Sequence, residues 1–177
     1  MKIEASILAG CFIAAAAALI VSAASRLMPA LASESALGVA AREPSPAWEL
    51  NDLDSKVLKS SDFTGKVVIL DFWATWCRPC RMEIPGFIEL QKQYADKGLV
   101  IVGVSLDQSG VSAVKPFMEK MGINYPIVLG DETVTRAFGG IEGIPTTFII
   151  DRTGNIVHKH VGYAHKEEFE ADIKPLL

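Results

Sequence analysis

The sequence predicts an α/β fold in which a central mixed β-sheet is flanked by helices. Three apolar runs rich in β-branched and aromatic residues, at Val67–Trp73, Leu99–Ser105 and Thr146–Ile150, are typical of buried strands. A helical pattern over residues 77–94 separates the first two runs, so these strands should form a parallel, right-handed β-α-β unit. A turn at residues 151–155 follows the third run and predicts an antiparallel return strand.

Shorter patterns complete the predicted domain. Residues 48–50 and 56–58 predict short strands, and Ser60–Phe63 predicts a short helical turn. The other predicted elements are a helix at Val111–Met121, a strand at 126–129, a helix at 132–138, a strand at 156–161 and a helix at 165–177. Glu167 and Glu168 lie in the first turn of the last helix, where the helix dipole favours negative charge.

The N-terminal region predicts export from the cytoplasm. Residues 5–24 carry no charge and are about long enough to span a bilayer as a helix. An Ala-x-Ala pattern at residues 30–32 is typical of signal-peptide cleavage, so residues 1–32 are interpreted as either a signal peptide or a retained membrane anchor. Cys11 ends a Leu-Ala-Gly-Cys sequence that resembles a lipoprotein box, but the apolar run continues beyond it, which disfavours lipidation.

The remainder of the chain is interpreted as a tether and one domain. Residues 33–47 are small, polar and proline-containing, which indicates a flexible linker. Residues 48–177 are long enough to form one compact domain with its own core. Both interpretations of the N-terminus place this domain in the periplasm or on the extracytoplasmic face of the membrane.

Charge and cysteine count limit the possible functions. The chain has 17 Lys and Arg against 21 Asp and Glu, a net charge of −4, and no basic cluster, so nucleic acid is not an expected partner. One of the three cysteines, Cys11, lies in the N-terminal apolar run. The other two, Cys77 and Cys80, are too close in sequence to join distant loops, so they form either a redox pair or half of a metal site.

The position of Cys77 and Cys80 at the start of the predicted helix favours a redox pair. Two side chains three residues apart on a first turn share a face, and their Cα atoms are roughly 5–6 Å apart. Unpaired N–H groups and the helix dipole stabilise a thiolate at this end and lower its pKa. We therefore expect an accessible Cys77 to attack a substrate disulfide and a more buried Cys80 to resolve the mixed disulfide. Arg78 adds positive charge beside the thiolate, and Pro79 suits an early helical position.

A structural zinc site is the alternative for a Cys-x-x-Cys motif. Such a site needs four ligands, which usually come from paired motifs, and the sequence has no second cysteine pair. His158, His160 and His165 lack a ligand-like partner motif and are interpreted as solvated strand and helix residues. No metal is therefore expected.

Three motifs together resemble the thioredoxin superfamily. They are DFWATWCRPC at residues 71–80, GIPTTF at residues 143–148 and DRTGNIV at residues 151–157. The FWATWCxPCxxExP pattern is similar to that of ResA/TlpA-type extracytoplasmic thiol–disulfide oxidoreductases, and the resemblance covers residues 48–177. It implies a thioredoxin-like fold and a protein disulfide oxidoreductase whose redox group is the Cys77–Cys80 disulfide, with no other cofactor.

The resemblance also implies roles for residues outside the cysteine pair. Pro145 corresponds to the family's cis-proline, and a cis bond would display the backbone of Ile144 to a substrate segment. Asp71 matches a buried carboxylate that accepts the proton of the inner cysteine, although many ResA/TlpA-type chains have asparagine there. Glu83 matches an acidic residue near the cysteines, and its alternative is an exposed first-turn residue. Two carboxylates near one thiol are expected to raise each other's pKa.

Two tryptophans flank the loop before the cysteine pair. Trp73 alternates with Asp71 along the strand and is expected to pack. Trp76 adjoins Cys77 and is expected to form an apolar rim that contacts substrate. Core packing is the default interpretation for both side chains, so for Trp76 it is the alternative to a substrate contact.

The predicted function is the reduction of protein disulfides outside the cytoplasm. A reductant in an oxidising compartment needs an electron supply, and the resemblance implies a membrane thiol-electron donor. The implied substrates are haem-binding cysteines of apocytochrome c or copper-site cysteines of oxidase assembly factors. The alternatives are a general disulfide oxidase or isomerase, a Cu(I)-binding delivery module that uses the two soft thiolates, and a peroxidase on the same fold.

Overall fold

The computed structural model describes residues 43–177. In chain order the strands are β1 (Glu43–Pro44), β2 (Glu49–Asn51), β3 (Val57–Lys59), β4 (Val67–Trp73), β5 (Leu99–Ser105), β6 (Ile127–Leu129), β7 (Thr146–Ile150) and β8 (Asn155–Val161). The helices are α1 (Arg78–Tyr94), α2 (Val111–Met121), α3 (Glu132–Ala137) and α4 (Lys166–Ile173). Short 3₁₀ turns lie at Ser60–Phe63, Ala95–Lys97 and Lys174–Leu176.

A six-stranded mixed sheet in the order β1-β8-β7-β4-β5-β6 forms the centre of the domain. β4 pairs in parallel with β5 along its whole length and antiparallel with β7 on its other side. All seven residues of β4 are buried, which explains why its sequence is a nearly continuous apolar run. The α/β class with a mixed sheet flanked by helices is therefore confirmed.

Different elements cover the two faces of the sheet. On one face α1, α2 and α4 pack in a cluster with Ile69 and Trp73 of β4. On the other face α3 and the β2–β3 hairpin pack with Leu70 and Phe72. Because successive strand residues point to opposite faces, Asp71 lies on the same face as Ile69 and Trp73, beneath the helix that carries the cysteines.

The folded domain starts earlier than the sequence predicts, and its last helix ends earlier. Glu43 and Pro44 fall in the predicted linker, whereas the structure pairs both residues with β8. A two-residue edge strand that contains proline has no periodic pattern by which it could be predicted. The last helix ends at Ile173 and continues only as a 3₁₀ turn over Lys174–Leu176, which contains Pro175 and so lacks one N–H donor.

Within residues 43–177, no helix combines the length and apolar character needed to cross a membrane. The predicted signal peptide or anchor at residues 1–32 lies outside the described residues, and so does Cys11. The first ten residues of the predicted linker lie outside them as well.

Candidate active site

Cys77 and Cys80 lie where β4 gives way to α1, and they form a disulfide. Their Sγ atoms are 2.05 Å apart and their Cα atoms 5.4 Å apart, the separation that the three-residue spacing predicts. Cys77 is the N-cap residue of α1, and Pro79 lies in the first turn, where a missing N–H loses no hydrogen bond. Cys77 is 5% exposed and Cys80 is 1% exposed. Cys77 is therefore the more accessible cysteine, but it is far less exposed than the sequence predicts.

The start of α1 presents a backbone donor to the Sγ of Cys77 and carries a positively charged residue next to it in sequence. The backbone N–H of Cys80 donates to the Sγ of Cys77 over 3.3 Å. Arg78, the next residue, has an exposed side chain, and the first turn of α1 contains no acidic residue. When the pair is reduced, these features would stabilise a thiolate at Cys77.

Asp107 fixes the loop between β4 and α1, a role that was not predicted from the sequence. Its carboxylate accepts hydrogen bonds from the backbone N–H of Thr75 over 2.9 Å, from the Thr75 hydroxyl and from the Ser105 hydroxyl. The N–H of Cys77 donates to the carbonyl of Ala74 over 3.1 Å at the other side of the loop. Asp107 follows β5, the parallel neighbour of β4. Residues that directly follow two parallel neighbouring strands lie at the same edge of the sheet, and this position could have identified Asp107 from the sequence.

Ile144 and Pro145 reach the disulfide from a distant part of the sequence. The Ile144–Pro145 peptide bond is cis, and the carbonyl oxygen of Ile144 lies 3.6 Å from the Sγ of Cys77. The carbonyl of Pro145 accepts a hydrogen bond of 2.8 Å from the N–H of Gly162, which ties this turn to the end of β8. The structure thus brings Ile144 and Pro145 together with Cys77.

Asp71 is buried in the middle of the sheet, on the face that α1 covers. It is 4% exposed, and its Oδ1 accepts a hydrogen bond of 3.0 Å from the hydroxyl of Thr147, its cross-strand neighbour on β7. Burial raises the pKa of Asp71 to about 7, and the Thr147 hydrogen bond opposes this rise. The carboxyl group can therefore gain and lose a proton near neutral pH. Thr147 was not predicted, because only the register between β4 and β7 reveals it.

Glu83 is a second buried carboxyl group, on α1 just beyond the cysteine pair. Its Oε1 accepts a hydrogen bond of 2.8 Å from the backbone N–H of Ala164, whereas its Oε2 has no hydrogen-bond partner within the described part of the chain. Burial and the negative charge of Asp71 raise the pKa of Glu83 to about 8, and the Ala164 hydrogen bond opposes this rise. At 4% exposed, Glu83 is not a solvated helix residue, so that alternative is wrong.

Tyr125 is a buried phenol close to both carboxyl groups. Burial, and then the charges of Asp71 and Glu83, raise its pKa well above the ordinary value. Its ring packs edge-to-face on Phe87 of α1, with centroids 6.4 Å apart. Tyr125 was not predicted to belong to the site, because it lies in a segment that carries no motif.

The two tryptophans beside the loop lie in different surroundings. Trp73 is 2% exposed, and its ring lies 5.6 Å from that of Phe117 on α2, so it packs as expected. Trp76 is 68% exposed beside Cys77. Its ring is therefore outside the core and is available to contact a substrate.

Within residues 43–177, no group of three His, Cys, Asp or Glu side chains is arranged to hold a metal ion. Two of the histidines instead flank Asp172 of α4. The Nε2 of His160 lies 2.7 Å from one carboxylate oxygen, and the Nδ1 of His158 lies 3.7 Å from the other. The interpretation of His160 as a solvated residue is wrong, because its side chain is 22% exposed and packs against Phe169.

The mixed sheet carries a disulfide at the start of a helix, and the carbonyl oxygen of the cis Ile144–Pro145 peptide bond lies against the Sγ of Cys77. This arrangement defines a thioredoxin-like thiol–disulfide oxidoreductase. Comparison with known proteins agrees with this class. Residues 41–159 match the AhpC/TSA family, and the chain belongs to that family.

Individual relatives give the same result. The chain is 34% identical over 131 residues to the thiol–disulfide oxidoreductase ResA of Bacillus anthracis, a match that covers 74% of this chain and 75% of the relative. It is 34% identical over 139 residues to the thioredoxin-like protein YneN of Bacillus subtilis, which covers 78% and 81%. A solved thioredoxin-family thiol:disulfide interchange protein from Chlorobium tepidum TLS has a TM-score of 0.71 and 37% identity, over 78% of this chain and 99% of that one. The ResA-type resemblance and the oxidoreductase activity are thereby confirmed.

Proposed function

We propose that this protein reduces protein disulfides outside the cytoplasm, with Cys77 as the attacking thiolate and Cys80 as the resolving thiol. One observation carries the proposal: the cysteine pair at the start of α1 lies above two buried carboxyl groups, Asp71 and Glu83, whose pKa values are raised towards neutrality. Such an arrangement supplies both a stabilised thiolate and a proton acceptor for a buried thiol.

In the first step, the thiolate of Cys77 attacks one sulfur of a substrate disulfide. A bond forms between Cys77 and that sulfur, the substrate S–S bond breaks, and the second substrate sulfur leaves as a thiolate. The N–H of Cys80 and the dipole of α1 stabilise the attacking charge. Trp76 offers an apolar contact, and the backbone at Ile144 offers an edge along which an extended substrate segment can lie.

In the second step, Cys80 releases the substrate. Its buried thiol must first lose a proton, since the thiolate is the nucleophile. Asp71 accepts that proton, because a pKa of about 7 leaves much of the carboxyl group ionised at neutral pH. Glu83, with a pKa of about 8, is mostly protonated there and adds little charge against the Cys80 thiolate. Cys80 then attacks the Sγ of Cys77, and the Cys77–Cys80 disulfide forms again as the bond between Cys77 and the substrate sulfur breaks. The substrate leaves with both sulfurs as thiolates, which take up protons from solvent.

The cycle requires two electrons to reduce the Cys77–Cys80 disulfide again. Exported compartments are oxidising, so we propose that a membrane protein with a thiol pair is the donor. Suitable substrates are cysteines that must stay reduced before a cofactor is attached, such as those of apocytochrome c or of copper-site assembly factors. Residues 1–32 would export the domain and, if retained, hold it at the extracytoplasmic face of the membrane.

The direction of electron flow is tested by the reduction potential of the Cys77–Cys80 pair. We expect a value nearer the roughly −270 mV of thioredoxin than the roughly −120 mV of DsbA. The reason is that Pro79, before the second cysteine, resembles the reducing members of the superfamily. Equilibration in glutathione buffers, followed by alkylation and mass spectrometry, measures the potential. A value at the oxidising end would reverse the proposed direction and favour a disulfide oxidase or isomerase.

The roles of the two cysteines and the identity of the partners are tested by trapping in the native host. With Cys80→Ala, mixed disulfides at Cys77 have no resolving thiol and should persist through purification. The matched control is Cys77→Ala, which keeps one thiol but lacks the nucleophile. We expect disulfide-linked partners with the first variant and none with the control. Equal capture by both variants would contradict the assigned roles.

A further inference from the structure

We propose that the surface between the first turns of α1 and the end of α2 binds an acidic, partly apolar segment of the substrate protein. This surface, the arginine groove, is lined by Arg78, Arg81, Met82 and Met121 and has a volume of about 390 Å³. The inference rests on the proposed function, because the bound segment would adjoin the disulfide that Cys77 attacks.

The two arginines of the groove have no acidic partner among residues 43–177. Arg78 and Arg81 are exposed, and they are three residues apart on α1, so their side chains are neighbours on the helix surface. Neither forms an ion pair with the described residues, and the guanidinium of Arg81 lies 5.8 Å from the centroid of the Phe117 ring. A guanidinium group presents a planar fork of N–H donors that matches a carboxylate. The groove therefore has unused donors for carboxylates.

The position of these charges is unfavourable for the helix itself. The N-terminus of a helix is stabilised by negative side chains and weakened by positive ones. α1 nevertheless begins at Arg78 and has no acid in its first turn, in a chain whose net charge is −4. α4 shows the ordinary pattern, with Glu167 and Glu168 in its first turn. The arginines of α1 therefore do not serve helix stability. Their positive charge can act on the Cys77 thiolate or on a ligand, and the test separates these two effects.

The methionines supply the apolar part of the groove. Met82 is 56% exposed, and Met121 packs against the edge of the core. Methionine is flexible and polarizable, so it adapts to differently shaped apolar partners. Trp76, in the loop directly before Cys77, adds a second exposed apolar side chain close to the groove in sequence. The ligand that fits is an extended peptide with one or two carboxylates and an aliphatic side chain near its cysteine.

The test compares two short peptides, each with one internal disulfide and a leucine beside it. They differ only in that one carries two glutamates next to the cysteines and the other carries two glutamines. The Cys77–Cys80 disulfide of the full-length protein is first converted to a dithiol. The rate at which the protein then reduces each peptide is measured at low and high salt. We expect the wild type to reduce the glutamate peptide about fivefold faster at low salt, the effect of one or two exposed ion pairs. This advantage should shrink in about 1 M salt, where the Debye length is about 3 Å.

Two variants of equal charge identify the source of the preference. Arg78→Gln/Arg81→Gln should bring the ratio of the two rates to about one. Lys56→Gln/Lys92→Gln removes the same charge from exposed positions that do not line the groove, and it should keep the ratio near five. Alkylation of Cys77 by neutral iodoacetamide reports the thiolate by itself. If the arginines act only on the thiolate, the Arg78→Gln/Arg81→Gln variant reduces both peptides more slowly and by the same factor. The wild type then reduces the two peptides at equal rates, which overturns the proposal.

The remaining outcomes separate this proposal from the function on which it rests. A wild-type ratio of one with both peptides reduced overturns the arginine groove and leaves the disulfide reductase intact. Failure to reduce either peptide contradicts the proposed function itself. Sedimentation with anionic but not neutral lipid vesicles, dependent on Arg78 and Arg81 and combined with a peptide ratio of one, would assign the groove to a lipid surface and overturn the proposal.

Discussion

Strand β4 has one end beside Arg152 and the other beside the disulfide. The polar groups at these two ends differ in how many hydrogen-bond partners they have. At the first end, Arg152 donates hydrogen bonds to the carbonyls of Gly65, Lys97 and Leu176, over 3.0, 2.9 and 3.1 Å. These bonds join the start of β4 to the turn before β5 and to the C-terminus. The side chain thus holds three separate segments of the chain together.

At the disulfide end, the buried polar groups have fewer partners. Within residues 43–177, neither the Oε2 of Glu83 nor the Nε1 of Trp73 has a hydrogen-bond partner. Asp71 accepts one side-chain hydrogen bond, from Thr147. An unsatisfied buried polar group lowers stability, and a buried carboxyl group shifts its pKa towards neutrality. The two ends differ in that β4 is anchored by Arg152 at one end and lies beside buried carboxyl groups with raised pKa values at the other.

The largest expected effect is that of Asp71→Asn on resolution by Cys80. Asparagine keeps the size of the side chain and can still accept from Thr147, but it cannot take up the Cys80 proton. We expect resolution at pH 7 to slow about a hundredfold, the lower range for loss of a general base. Rapid-quench measurement of mixed-disulfide decay, with initial attack by Cys77 followed separately, gives the rate. Thr147→Val is the control and should change it only a few-fold. A rate for Asp71→Asn equal to wild type across pH would refute the role of Asp71.

The next effect is that of Glu83→Gln on stability as pH changes. The folded-state pKa of Glu83 is raised from 4.5 to about 8, so the stability of the wild type falls as pH rises from the unfolded to the folded pKa. Because glutamine does not ionise, the stability of the variant does not fall with pH in this way. Relative to wild type, the variant should gain about 4 kcal/mol in free energy of unfolding between pH 5 and pH 9. Urea denaturation at both pH values measures the gain.

The control for this measurement is Glu119→Gln, an exposed carboxylate on α2. Its difference from wild type should stay the same at both pH values within about 0.5 kcal/mol. If Glu83→Gln behaves in the same way, burial does not hold the Glu83 carboxyl group in its neutral form.

A smaller effect is expected for Arg152→Ala at the anchored end of β4. Loss of three hydrogen bonds from an exposed guanidinium should lower the free energy of unfolding by about 1–2 kcal/mol and leave the reduction potential unchanged. Arg136→Ala, which removes an exposed ion pair with Glu132, should lower it by less than about 0.5 kcal/mol. A shift in reduction potential for Arg152→Ala would show that the two ends are not independent.

The smallest effect is expected for Trp76→Ala beside the disulfide. The exposed ring contributes little to folding, so stability should stay within about 0.5 kcal/mol of wild type. Reduction of protein disulfides should slow about threefold through loss of apolar contact, which corresponds to less than 1 kcal/mol. Val57→Ala, also exposed but outside the site, is the control. An unchanged rate with several protein substrates would exclude a contact role for Trp76.

Much of the fold could be predicted because its central elements have strong local patterns. The bounds of β4, β5 and β7 follow from apolar runs that the buried sheet requires, and the cysteine pair follows from its spacing at a strand–helix junction. The cis bond before Pro145 required the family resemblance, because most bonds of this type are trans.

Other features of the site depend on contacts that no local pattern encodes. The N–H of Ala164, which binds Glu83, belongs to the backbone and leaves no trace in residue type. Tyr125 and Thr147 reach the carboxyl groups only through packing and strand register. The low exposure of Cys77 arises in the same way, because the carbonyl of Ile144 lies against its sulfur. These contacts decide how buried each group is, and hence its pKa.

The short pairing of β1 with β8 also determines where the polypeptide joins the domain. Glu43 and Pro44 lie beside the turn at Gly154, to whose carbonyl the N–H of Ser45 donates over 2.9 Å. That turn is at the anchored end of the sheet, whereas Cys77 is at the other end, and β4 spans roughly 20 Å between them. Residue 43, where the described domain begins, and the Sγ of Cys77 therefore lie at opposite ends of the central sheet. A partner that approaches Cys77 does so from the side away from residue 43.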